Sequence, residues 1–329
     1  MDLNARLQFI AAFEEDPVEL TMESSIFESY VPRMLGSCST LVKMPGNPLD
    51  VKAFKGSVKI PGRAPFFRQP KLPQRVPAVS KPRMIVEPKY PSLTPILMTA
   101  HFSGINLRLY HVVSQRNSLR KLAMNDEDFV VNVVRFGSTL YLRRFLHYRT
   151  TDRNNIGFRF EEMCTGSREN FDFNQLIDGR IGGYKILMMG KVETIRKGSG
   201  ESIELKCQKH RANMADKVDW WLQAYLIGTK TIIHGRRTDS DETIVSSIEE
   251  YDRETMLGRP QKNLLFNRLH GVLKFLFSNV TSDRTFMLRG YKDERGQRRM
   301  RLFEVIDSVD KQKLEFMTKT LIGTFTVDG

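Results

Sequence analysis

Two charged pairs stand close together in this chain: Lys191 and Glu193 in GKVET, and Glu204 and Lys206 in ELK. On a strand, residues i and i+2 share a face, so each pair would project together. The intervening RKGSG is turn chemistry, and a hairpin there sets the two pairs side by side. Glu161 in FRFEE, on a helix expected over 154–163, and Gln223 in DWWLQAYLIG, on a helix expected over 214–228, close the group from above. Converging carboxylates offer the hard oxygen ligands that Mg2+ or Mn2+ takes, together with waters and a substrate phosphate. A lysine two residues after a metal-binding glutamate supplies positive charge where an attacking water or a phosphate develops negative charge. Singly, each element is weak: ELK is a common strand edge, and the Trp220–Trp221 pair is ordinary core. The ordered set is far more specific than its parts.

The elements around this group mix strands with helices. INLRLYHVV alternates like a strand, NSLRKLAM reads as a short helix, and FVVNVVRFGSTLYLRRFL reads as a hairpin about Gly137. KTIIHGR is a buried-strand candidate, and NLLFNRLHGVLKFLFSNV is a helix apolar enough for the core. The chain then reads strand, strand, helix through RTFMLRGYK, RRMRLFEVI and KQKLEFMTKTLIGTF. Adjacent strands joined by hairpins favour an α+β class: a mixed, largely antiparallel sheet flanked by helices, rather than a doubly wound alternation. Upstream, short helices are expected near Leu3–Phe13 and Met22–Leu35, followed by a turn at MPGNP. Nine of the fourteen prolines lie between Pro61 and Pro95, where a fixed φ and a missing donor predict extended backbone. The organisation expected is a divergent region 1–103, with a Pro/basic-rich segment at 61–95, joined to a domain over 104–329.

Charge says what such a body would meet. The 329 residues carry 51 Lys+Arg and 38 Asp+Glu, a formal +13. Residues 1–50 hold three basic and eight acidic groups, so the remainder carries +18, as a polyanion-binding surface would. Cys38, Cys164 and Cys207 are too few and scattered for a disulfide framework or a zinc site, and suit a reducing compartment. The N-terminus lacks signal-peptide character, and no apolar run approaches a membrane span. An intracellular protein is expected, with the nucleus favoured and the cytoplasm as the alternative, and with no membrane partner. The six histidines, His101, His111, His147, His210, His234 and His270, form no ligand spacing and read as structural or surface residues rather than catalytic ones.

FRFEE, GKVET, ELK, DWWLQAYLIG and IIHGR fall in the order and approximate spacing of the DXO-type decapping exoribonucleases, which the chain resembles over about residues 104–320. QRNSLRKLA resembles that family's arginine-bearing motif, and RFGSTLYL its hairpin. The resemblance implies a PD-(D/E)XK-related nuclease core that removes incomplete or non-canonical caps from RNA 5′ ends and degrades 5′-monophosphate RNA with divalent ions. It further implies that Arg116 contacts RNA phosphate, and that Glu161, Glu193 and Glu204 bind metal with help from the Leu205 carbonyl. Lys206 and Gln223 would then contact the scissile phosphate or the nucleophile, making Glu161, Lys206 and Gln223 the catalytic candidates.

One position departs from this pattern. Where the family has Glu-x-Asp, this chain has Lys191-Val192-Glu193. A carboxylate has become a cation, which moves the local charge from −3 to −1 and would repel a second ion. One Mg2+ or Mn2+ is expected rather than two. Two functions follow: a metal-dependent RNA 5′-end nuclease, or a catalytically impaired protein that binds RNA 5′ ends. A DNA nuclease on the same core is a weaker third. The acidic N-terminal region is a candidate surface for a protein partner.

Overall fold

The computed structural model describes residues 6–15, 26–43, 45, 47, 49–78, 84–86, 91–146, 150–152, 154–166 and 170–326. Strands, in chain order, begin with β1 (Leu7–Phe13), β2 (Arg33–Leu41), β3 (Val58–Lys59), β4 (Gln74–Arg75), β5 (Met84–Val86) and β6 (Val112–Gln115). They continue with β7 (Phe129–Phe136), β8 (Thr139–Arg144), β9 (Thr150–Asp152), β10 (Phe171–Ile181), β11 (Tyr184–Lys191) and β12 (Thr194–Ile195). The last are β13 (Ser202–Gln208), β14 (Thr231–Arg237), β15 (Ile244–Asp252), β16 (Thr285–Lys292) and β17 (Arg298–Val305). Ten of them form one sheet in the order β1-β17-β16-β7-β8-β6-β11-β10-β2-β3, and five form a second, β12-β13-β14-β15-β4. Pairing is antiparallel except at β8–β6, β6–β11 and β13–β14. The mixed, mainly antiparallel α+β architecture expected from the sequence is what forms.

Both faces of the large sheet are covered, which explains the near-continuous apolar run ILMM in β11. Ile186 and Met188 face one core with the helices Arg116–Met124, Met214–Ile227 and Arg259–Asn279, while Leu187 and Met189 face the other with Thr94–Phe102 and Lys319–Phe325. A third, smaller core lies between the second sheet and the helix Ile156–Thr165, through Phe160, Leu205 and Ile233. Phe160 reaches the sheet because β14 has a glycine beneath it; a Cβ on Gly235 would sit 2.4 Å from the ring. Among the described residues, no helix is long and apolar enough to cross a membrane.

Several expectations are corrected. Leu7–Phe13 is a strand, not a helix, because the edge of β17 offers it an antiparallel ladder, interrupted by one irregularity between Phe9 and Ala11. Arg33–Leu41 is likewise a strand, paired with β10, and overrides the helix expected to reach Leu35. Residues 22–25 of that helix, parts of the MPGNP turn, His147, Pro82 and Pro88 lie outside the described residues. The closing helix is two helices, Ser308–Leu314 and Lys319–Phe325. The expected hairpin between GYKILMMGKVETI and ESIELKCQ is not one ladder: β11 ends at Lys191 in the large sheet, and only β12, two residues long, pairs with β13. The chain changes sheets at Val192–Glu193, so Lys191 and Glu193 do not share a strand face.

Candidate active site

The seam between the two sheets is where the candidate residues meet. Glu161 rides on Ile156–Thr165, a helix started by the Asn155 side chain accepting from the Phe158 N–H and stopped by Gly166 in the left-handed region. β13 carries Glu204 and Lys206 on either side of its midpoint, parallel to β14. Gln223 comes from Met214–Ile227, which opens with an Asn213–Asp216 capping box and is anchored by Trp221 and Tyr225 packing edge-on against Phe266 of Arg259–Asn279. Arg116 is the first residue of its helix, directly after β6, and lies beside β11. It can do so because residue 190 is glycine: a Cβ there would be 3.3 Å from Arg116 Cδ and 2.6 Å from Ile227 Cγ2.

The charged and amide side chains among the sequence-derived candidates converge, in two linked halves, while the Leu205 side chain turns into the third core. In the first, Lys206 Nζ donates to Glu204 Oε1 at 2.5 Å and to Gln223 Oε1 at 3.0 Å. Arg116 Nη1 donates to Glu204 Oε2 and to the Gln223 carbonyl, each at 3.4 Å. Glu204 and Leu205 are buried, and the Arg116 side chain is only 7% exposed, so the guanidinium backs the cluster from inside. In the second half, Lys191 Nζ donates to Glu161 Oε2 at 2.9 Å and lies 3.6 Å from Asp172 Oδ1. The ammonium also sits 5.1 Å from the centre of the Phe158 ring. It points into the carboxylates, not away from them.

Glu193 lies between the halves. The residue is partly exposed, but its Oε2 is cut off from solvent and has no hydrogen-bond partner. Burial pushes its carboxyl up to about 8; the charge of Glu204 adds to the rise, and Lys191 and Lys206 only partly oppose it. Burial acts upward on Glu204 too, but Lys206 and Arg116 outweigh it and hold this carboxyl down to about 2. At neutral pH the proton sits on Glu193 and Glu204 is ionised.

Two residues of the site were not read from the sequence. Asp172, on β10, is the second anchor of Lys191, and nothing in FDFNQLIDGRI marked it. Asp219 accepts from Gln223 Nε2 at 2.6 Å and also pairs with Arg120, which fixes the amide so that its oxygen faces Lys206. The i, i+4 spacing of Asp219 and Gln223 was the available signal. Two of the histidines are structural: His111 Nδ1 accepts from the Lys185 N–H, and His234 is buried against Trp220, whereas His101 and His210 are exposed. Arg298 and Arg299 are engaged by Asp128 and Asp293.

The donor set decides what the site accommodates. Four carboxyl groups (Glu161, Asp172, Glu193 and Glu204) face three cations (Lys191, Lys206 and Arg116), and with the proton on Glu193 the charges cancel. Among the described residues, no group of three or more His, Cys, Asp or Glu side chains is placed to hold a metal ion. Lys206 is part of the pattern expected for a nuclease; Lys191 is the departure, and it occupies Glu161. These residues as arranged do not fit two divalent ions.

A sequence profile described as RAI1 like PD-(D/E)XK nuclease matches residues 92–321. No curated protein sequence matches the chain. Among solved structures, S. pombe Rai1 in complex with 3′-FADP is similar at a TM-score of 0.68 and 15% identity, covering 92% of this chain and 100% of that one. Candida albicans Rai1 in complex with pU5-Mn2+ gives 0.63 and 14%, over 99% of this chain and 98% of the other. K. lactis Dxo1 in complex with manganese gives 0.62 and 12%, over 92% and 98%. Identities this low carry the fold alone.

Proposed function

Because this chain belongs to the RAI1-like PD-(D/E)XK nuclease family, we propose that it holds RNA 5′ ends in the decapping-nuclease cleft and is impaired in metal-dependent hydrolysis. The observation that carries this reading is the Lys191 ammonium between Glu161 and Asp172. A divalent ion at Glu161 must displace a cation already held by two carboxylates, and a second must also strip the proton from Glu193. What the cleft retains suits an anion. Lys191 and Lys206 are 25% and 18% exposed, within reach of a terminal phosphate, while Arg116 behind them neutralises Glu204. Gln223, oriented by Asp219, offers a polar contact beside Lys206. The +18 carried by residues 51–329 supplies long-range attraction for the rest of the strand. That pU5 and Mn2+ accompany a relative of the same fold supports RNA as the ligand class and shows which ion to test.

The test incubates wild-type protein and Lys191→Glu with 5′-monophosphorylated or cap-defective RNA and Mn2+, with binding and product measured separately. Expected are salt-dependent RNA binding without product for the wild type, and a gain of Mn2+ binding for the variant. Wild-type cleavage abolished by Glu204→Ala would overturn the impaired reading in favour of a single-ion hydrolase built on Glu204, Lys206 and Gln223. If neither protein binds RNA, the ligand class is wrong.

A further inference from the structure

Next to the cleft lies a second concavity of about 440 Å3, lined by Lys59, Arg63, Phe66, Arg68, Thr165 and Phe171 among others, with no acidic side chain among the described residues of its wall. Three ties join it to the site. Thr165 is one helical turn beyond Glu161, about 6 Å along the axis, and its hydroxyl donates to the Glu161 carbonyl. Phe171 immediately precedes Asp172, the anchor of Lys191. Pro65 accepts at its carbonyl from the Ile195 N–H and the Thr194 hydroxyl, each at 2.9 Å, just after Glu193.

The wall is built rather than loose. The Arg63 N–H donates to Ser39 Oγ at 2.9 Å, and the Arg68 N–H donates to the Cys164 carbonyl at 2.6 Å. Arg68 crosses Gly166, where a Cβ would come within 2.5 Å of Nη1, so the guanidinium packs directly against the helix end. Lys59 Nζ stands 4.1 Å above the Phe171 ring centre. Phe66 leaves 47% of its surface in solvent although it is bridged to Ile195. A rigid strip of backbone thus presents an aromatic face among three cations.

We infer that this pocket takes an unpaired nucleotide of the RNA, a step or two downstream of the 5′ phosphate in the cleft, with its base against Phe66 and its phosphate among Lys59, Arg63 and Arg68. The inference rests on the RNA 5′-end reading and names how the strand leaves that site. Alternation of aromatic faces with cations is how single-stranded nucleic acid is held without base readout. An acidic peptide would satisfy the cations but leave the Phe66 face without a partner, and a duplex end would not fit a cavity this small.

The test uses full-length protein and fluorescence titration with 5′-monophosphorylated pentauridylate, with 5′-UMP and inorganic phosphate as shorter probes. The pentamer is expected to bind more tightly than 5′-UMP. Phe66→Ala is expected to weaken the pentamer about tenfold and to leave 5′-UMP unchanged. Arg63→Ala, which keeps the backbone bond to Ser39, is expected to lower the salt slope for the pentamer by about 0.7. Wild-type affinities equal for pentamer and 5′-UMP, both variants binding the pentamer as the wild type does, or a glutamate pentapeptide displacing the pentamer would each overturn the pocket while leaving the cleft reading intact. No binding of any RNA probe overturns both.

Discussion

Replacing Glu193 by glutamine separates a protonated, structural carboxyl from an ionised ligand. Its carboxyl titrates near 8 in the fold, against an ordinary 4.5. A raised acid pKa means that the folded chain keeps a proton the unfolded chain has lost. The resulting stability is complete below about 4.5 and disappears as pH rises through 8. Between pH 5.5 and 7.5 the folded group is protonated and the unfolded group is not, so stability falls by about 1.4 kcal/mol per pH unit, or about 3 kcal/mol in all. Glu204, held down to about 2, is ionised in both states across this range and adds no slope. Histidines such as His234, which burial lowers, contribute the opposite slope, but equally in wild type and variant. Glutamine keeps the shape and stays uncharged at every pH. Urea unfolding followed by fluorescence of Trp220 and Trp221, both buried, should therefore show the wild type losing about 3 kcal/mol relative to Glu193→Gln between pH 5.5 and 7.5. Parallel pH profiles would refute the assignment of the proton to Glu193.

Two further substitutions probe how the site is held. Gly190→Ala drives a methyl into Ile227 and Arg116 and is expected to cost about 1–3 kcal/mol by overpacking, read as a lower urea midpoint. Arg116→Ala leaves buried Glu204 with Lys206 as its one remaining cation; a loss of about 3 kcal/mol is expected, and adding Glu204→Gln should recover part of it in a double-mutant cycle.

The sequence carried the strongly patterned elements and the identity of the cluster, but not its construction. FVVNVVRFGSTLYLRRFL announced its own hairpin because both strands are β-rich and the glycine between them takes φ +57°. LQFIAAF and RMLGSCSTL did not, because each becomes a strand only when a distant edge is presented to it. Asp172 was missed for another reason: β10 and β11 form a hairpin about Gly182–Gly183, a local signal in RIGGYK that places Asp172 beside Lys191 and was not used. Reading Lys191 and Glu193 as one strand face failed for a different reason: two residues of irregular chain at 192–193 carry the backbone from one sheet to the other. The charges met all the same, because the seam between the sheets gathers them whichever face they leave from.

Lys191 is therefore more than a missing glutamate. A lysine left over from a lost ligand would extend its four-carbon stem until the ammonium reached water. Here the ammonium sits 5.1 Å from the centre of the Phe158 ring, three-quarters of the side chain is covered, and the charge ends between two carboxylates contributed by a helix and the strand that follows it. That geometry gives Glu161 and Asp172 a counter-charge at any metal concentration, which a divalent ion supplies only when it is bound. Charge balance without metal is a different electrostatic solution for a phosphate-binding cleft: attraction for the anion is built in, while the ion that would polarise a scissile phosphate has to compete with a tethered ammonium for the same oxygens.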